Sequence, residues 1–300
     1  MRAVTSYPDP DTDGVASALG YCALVPGTVP VLSGTFNPET IFVLRELGMA
    51  CPLGGSLANA VEVVLVDTHD VRQLPDGFPF DRVVEIIDHH PSGDVDAFPQ
   101  ASIQNEAVGA AATLVAERCL RAPWVLSPEV AAALACGIAS NTLDFRASSV
   151  HERDQVAYAA LGCIASPHFN LTAIVAGMMV ARGALLAGPT AIVIDRDRKR
   201  FATSAGDVLI SQVEAPHAAT LLERPDLLDE LRAAAARHGV DVALLNLVDL
   251  YLGVSVLVST SPAVWLALAP IPLTKVSGQV AWAKEVLLRK THLVPLLGIP

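Results

Sequence analysis

This chain of 300 residues has no Cys-x-x-Cys pair, no Walker phosphate loop and no long run of lysines or arginines. Each absence closes off a class. The five cysteines, Cys22, Cys51, Cys119, Cys136 and Cys163, are odd in number and unpaired in spacing. Without a secretory leader at the N-terminus, they read as reduced, mostly buried thiols of a cytoplasmic protein. Gly54 and Gly55 in "PLGGSL" lack the Walker pattern and make no phosphate loop. With a net charge of −11 and no long basic run, a nucleic-acid backbone is a poor partner. An uninterrupted membrane span is also missing. Leu250–Thr274 carries no charge, but Gly253, Pro262, Pro270 and Pro272 break it, and the β-branched "VSVLVSTS" suits two buried strands with a turn between them.

What is present begins with "SYPDPDTDGVAS", residues 6–17. Asp9, Asp11 and Asp13 alternate and then meet Gly14, which is how a calcium-binding EF-hand loop starts. That loop needs a preceding helix and a glutamate at its twelfth position. Here the twelfth position is Gly20, and "RAVTSY" upstream alternates like a strand. The calcium loop is excluded, and a carboxylate cluster for another metal remains open beside a plain solvated turn.

The periodicity gives the fold class. "RAVTSY", "VPVLSG", "VEVVLVD" and "RVVEIID" read as strands, and "GVASALGYCAL", "PETIFVLRELG", "GAAATLVAERCL" and "SPEVAAALACGIAS" as helices. Near-continuous apolar strands between helices predict an α/β domain with a mostly parallel sheet flanked by helices, over residues 1–182. "RGALLAGPT" reads as a linker over 183–189. Beyond it the hairpin-like "RFATSAGDVLISQVE", the helical "LLDELRAAAARHG" and further apolar strands predict a smaller α+β domain over 190–300. In open α/β sheets ligands gather beyond the carboxyl ends of the strands, so Tyr7, Asp67 and Asp88 are expected at one crevice.

"EIIDHHPSG" puts Asp88, His89 and His90 together at a strand end. Taken with "YPDPDTDGVAS", "VLVDTHD" and "CGIASNTLDF" in that order, it resembles the DHH phosphoesterase superfamily. "SGTFNPETIFVLRELGMACP", "NEAVGAAATLV", "DRKRF", "LISQVE" and "LRKTHLVPLL" extend the likeness to family II, manganese-dependent inorganic pyrophosphatases over nearly the whole chain. The "GGGH" motif of the nucleic-acid branch of that superfamily is missing.

The resemblance implies hydrolysis of pyrophosphate to two phosphates by hydroxide activated between two divalent ions about 3.5–4 Å apart. It names Mn²⁺ as the cofactor, with Mg²⁺ or Co²⁺ as substitutes, and a homodimer as the assembly. Asp11, Asp13, Asp67, His89 and Asn141 take the metal positions, and His90 the substrate-facing histidine. Asp88 takes the place of a carboxylate that orients a ligand, while Lys199, Arg289 and Lys290 match basic residues that close on phosphate. Hard oxygens with an imidazole suit Mn²⁺ or Mg²⁺.

Two positions depart from that pattern. Tyr7 stands where the family has a histidine ligand, and Asn141 where it has an aspartate. Both changes weaken the metal site, and the second makes it less negative by one charge. Asp9 and Asp144 stand close enough in sequence to compensate. The departures keep two alternatives open, an exopolyphosphatase or a non-catalytic phosphate or nucleotide sensor. His69 reads as an exposed loop histidine, and His168, His217, His238 and His292 as surface or cap residues.

Overall fold

The computed structural model describes residues 1–50, 54–91, 93–203 and 206–298, so Cys51 lies outside the described residues. The chain divides into two units, residues 1–178 and 179–300.

In the first unit, β1 (Arg2–Thr5) leads into α1 (Thr12–Leu24), then β2 (Thr28–Pro30), α2 (Pro38–Glu46), β3 (Glu62–Val66), β4 (Val83–Asp88) and β5 (Ser102–Asn105). Four helices complete it: α3 (Ala111–Arg121), α4 (Pro128–Asn141), α5 (Glu152–Ala165) and α6 (Leu171–Gly183), the last running past the division. The sheet order is β2-β1-β3-β4-β5, and every pair is parallel. Continuous apolar runs make this possible, because Val63–Val66 and Ile86–Ile87 are covered on both faces. Leu114, Leu134, Ile138 and Tyr21 fill one side, and Leu65, Ile86, Phe78 and Phe98 the other.

Local chemistry sets most helix starts. Asn37 caps α2 by accepting from Thr40 N–H at 2.8 Å with Pro38 behind it, and Ser127 caps α4 ahead of Pro128. Ala110, at the start of α3, offers no side chain for this. Its cap comes from α1 instead: Asp13 accepts from Ala111 N–H at 2.8 Å and Ala112 N–H at 2.7 Å.

The strand expected at "VPVLSG" shortens to β2 with an isolated bridge at Leu32, since Pro30 cannot extend a ladder. The partly exposed edge strand β5 escaped the periodicity argument because "SIQN" is polar. The stretch proposed as a linker opens with the end of α6 and a 3-10 turn, Ala184–Leu186.

The second unit holds α7 (Thr190–Asp195), β6 (Arg198–Thr203), β7 (Gly206–Ala215), α8 (Leu227–Arg237), β8 (Val242–Asp249), β9 (Val254–Ser259), α9 (Val264–Ala267), β10 (Leu273–Lys275) and β11 (Val280–Ala283). Its sheet runs β10-β11-β9-β8-β7-β6, with β7 and β8 parallel across α8 and the other pairs antiparallel. The reading of Leu250–Thr274 as two buried strands needs correction. β9 is buried, but the helical turn α9 follows, and β10 is a mostly exposed edge. Among the described residues no helix is long and apolar enough to cross a membrane. The thiols are also less uniform than expected: Cys119 and Cys136 are buried, Cys22 is half-buried and Cys163 is exposed.

A candidate metal centre at the strand ends

The chain passes from β1 outward to β2 and then returns to β3 on the other side of β1, so the strand order reverses between β1 and β3. Such a switch point leaves a crevice at the carboxyl ends of the strands. The segment Ser6–Asp11 follows β1, Asp67 follows β3, and Asp88-His89-His90 ends β4. The loops therefore converge for topological reasons.

Asp11 is the N-cap of α1, its Oδ1 accepting from the N–H groups of Asp13 at 2.9 Å and Gly14 at 3.1 Å. Asp13 is fully buried and held by α3. Asp67 sits at φ +61°, a left-handed conformation uncommon outside glycine, and its N–H donates to Ile87 O at 2.9 Å. Strain of this kind gathers at functional sites. Gly14 admits the carboxylate: a Cβ there would lie 3.3 Å from Asp67 Oδ2 and 2.9 Å from Ser6 Oγ.

His89 joins these groups. Its Nδ1 lies 3.0 Å from Val108 O, an acceptor, so Nδ1 carries the proton and Nε2 keeps a lone pair in the neutral ring. That Nε2 stands 3.4 Å from Asp67 Oδ1 and 3.9 Å from Asp13 Oδ2. An imidazole giving its other N–H to a carbonyl is the usual arrangement of a metal-binding histidine. Burial, and then the Asp67 carboxylate, push the Asp13 carboxyl well above its ordinary range, against the pull of His89. Electron-rich atoms crowded this way fit a cation, and oxygens with one imidazole fit Mn²⁺ or Mg²⁺.

Asp88 organises the neighbouring histidines. Its Oδ1 accepts from His90 Nδ1 at 2.7 Å and from the N–H groups of His89 and His90, and its Oδ2 from His69 Nδ1. Burial would raise the Asp88 carboxyl, but the hydrogen bonds from His69 and His90 outweigh it and hold it well below the carboxylate range. Asp67, Asp88, His89 and His90 each offer a ligand atom within 4.8 Å of one another. His69 is thus corrected from an exposed loop residue to one only 3% exposed. Gly93 lies so close over its ring that a Cβ would meet Cδ2 at 2.2 Å. The available signal was its position three residues past a parallel strand.

The other expected residues divide. The Tyr7 phenol accepts from Asp11 N–H at 3.4 Å. Burial, then the carboxylates of Asp11, Asp67 and Asp13, keep that phenol protonated far above its usual range. Asp9 turns away, accepting from Thr35 N–H at 2.6 Å, and Asp144 faces Arg146 at 3.8 Å. Asn141 presents its amide nitrogen, 2.8 Å from Gly109 O and 3.1 Å from His89 Nε2.

Sequence reasoning missed Glu39. This carboxylate is 2% exposed, and its Oε1 accepts from Thr12 Oγ1 at 2.8 Å and from Ser140 Oγ. It ties α2 to the residue between Asp11 and Asp13 and to the residue before Asn141. An acidic residue in a first helical turn is ordinarily solvated, so nothing local announced it.

In the second unit, Arg289 is 5% exposed and its Nη2 meets Asp197 Oδ1 at 2.6 Å. Its Nη1 reaches Ile210 O at 3.3 Å, and Ile210 pairs with Lys199 across β6 and β7. Lys290 follows in the same π-helical turn, Arg289–Leu293.

The chain matches the family model for the DHH family, N-terminal domain, over residues 3–138 and that for the DHHA2 domain over residues 177–298. It is 29% identical over 255 residues to a manganese-dependent inorganic pyrophosphatase of Methanothrix thermoacetophila, covering 82% of this chain and 80% of that one. A Bacillus licheniformis protein assigned as a manganese-dependent inorganic pyrophosphatase is 27% identical over 301 residues, covering 98% of this chain and 96% of its own. The crystal structure of a Methanococcus jannaschii protein assigned to the family II inorganic pyrophosphatases superposes with a TM-score of 0.83 at 27% identity, covering 99% and 98% of the two chains.

Proposed function

The chain belongs to the DHH family, and from that membership we propose a metal-dependent phosphoanhydride hydrolase that splits inorganic pyrophosphate into two phosphates. The convergence of His89 Nε2, Asp67 and Asp13 carries this reading, because a lone pair facing buried carboxylates is the donor set that a divalent cation takes. Mn²⁺ is the ion this donor set favours, in line with the manganese-dependent relatives.

Asp11, Asp13, Asp67 and His89 would hold divalent metal, which supplies Lewis-acid stabilisation of charge on the phosphoryl oxygens. The protein's own groups do the rest. Asp88 fixes the rotation of His90 through Nδ1–H and leaves its Nε2 for the substrate. Asp13 and Asp67 are buried, which keeps bulk water away from the carboxylates that would face the metal. In the second unit, Lys199, Arg289 and Lys290 are the phosphate contacts we assign. Arg289 serves in that role once its pair with Asp197 opens.

A second reading has a specific observation behind it. Tyr7, held protonated, is a weak ligand, and Asn141, presenting an amide nitrogen, offers none, where the family has strong ones, which suits a site adapted to a longer phosphate chain or to sensing. Phosphate release from pyrophosphate, tripolyphosphate and long polyphosphate, each with Mn²⁺, Mg²⁺ and Co²⁺, separates these readings. Pyrophosphate cleaved fastest with Mn²⁺ supports the main proposal. A preference for long chains overturns it in favour of an exopolyphosphatase, and no release under any condition leaves a sensor.

A further inference from the structure

Asn141 closes α4, and two acceptors fix its side chain. Gly109 O, 2.8 Å away, can only accept, so the atom facing it is the amide nitrogen and not the carbonyl oxygen. The same nitrogen lies 3.1 Å from His89 Nε2. Because His89 Nδ1 already gives its proton to Val108 O, Nε2 is the accepting lone pair, and the Asn141 amide donates to it. This is the lone pair a metal must take.

We propose that Asn141 guards the metal position at His89: its amide hydrogen-bonds the nitrogen that a metal would bind, so uptake of metal there requires Asn141 to withdraw. The proposal rests on the reading of His89 as a metal ligand. It reverses the role expected of a residue in this position. A weak ligand strengthens metal binding by its presence, whereas a guard weakens it.

The opposite signs make a direct test. Mn²⁺ is titrated calorimetrically into the natural protein, Asn141→Ala, Asn141→Leu and His89→Ala, with circular dichroism confirming the fold of each. Leucine keeps nearly the shape of asparagine and has no donor, so it serves if the alanine variant folds poorly. We expect Mn²⁺ to bind roughly two- to tenfold more tightly to both Asn141 variants, the worth of one neutral hydrogen bond. His89→Ala should lose that binding. Weaker or unchanged affinity in the folded Asn141 variants, with His89→Ala defective, overturns the guard and leaves the metal site standing. Unchanged affinity in His89→Ala overturns both.

Discussion

Replacing Glu39 with alanine tests whether one buried oxygen holds the helices of the site together. Glu39 Oε1 accepts from Thr12 Oγ1 at 2.8 Å and from Ser140 Oγ, and all three residues are at most 3% exposed. A hydrogen bond to a charged group is worth about 1.5–3 kcal/mol, and a buried hydroxyl left without its acceptor costs about 1–3 kcal/mol. Thr12 keeps Thr40 Oγ1 at 3.0 Å as a substitute, which reduces its share. Removing the carboxylate also relieves its desolvation. We therefore expect Glu39→Ala to destabilise the first unit by about 3 kcal/mol. Glu39→Gln should cost under about 1 kcal/mol, because its amide oxygen can occupy the Oε1 position and accept from both hydroxyls. Because Thr12 lies between Asp11 and Asp13, and Ser140 precedes Asn141, the alanine variant should also bind Mn²⁺ more weakly while the glutamine variant does not. Urea unfolding followed by circular dichroism measures the first quantity and calorimetry the second. Equal losses in the two variants, or a loss under about 1 kcal/mol in Glu39→Ala, would refute the reasoning.

Asp67→Asn should remove Mn²⁺ binding and phosphate release while the fold survives; a variant that binds metal as tightly as the parent shows that the ligand lies elsewhere. Arg289→Ala should lower kcat/KM for pyrophosphate at least about tenfold, or about 1.4 kcal/mol of transition-state stabilisation, with metal affinity unchanged. If its kinetics match the parent's, the pair with Asp197 is purely structural. The Asp88 carboxyl is lowered on folding, so its stabilisation is complete above the unfolded value near pH 4 and is lost as pH falls toward the folded one. Asp88→Asn should therefore be less stable than the parent at pH 7, with the gap shrinking below about pH 4. A gap independent of pH between 7 and 3 would remove Asp88 from that account.

Side-chain periodicity, a property of neighbours along the chain, marked β1, β3, β4 and α1 to α4 in their order, whereas the polar β5 carried no such mark. Val63–Val66 and Ile86–Ile87 are apolar without interruption, which only a sheet covered on both faces accommodates. Carboxylates and histidines just past such strands already located the crevice, and the resemblance gave Asp11, Asp13, Asp67 and His89 their expected roles. The tertiary structure decided which way the polar atoms turn. Asp13 serves Ala111 and Ala112, 98 and 99 residues away, as the cap that Ala110 cannot provide. His69 is buried because Asp88 and Gly93 meet it from another strand end. Arg289 is enclosed by Asp197, 92 residues distant. Asn141 differs from an aspartate by one amide, but only the positions of Gly109 O and His89 Nε2 make that amide a donor to the imidazole nitrogen. Hydrogen bonds act within about 3 Å whatever the separation along the chain, so their partners were settled by folding and not by local pattern.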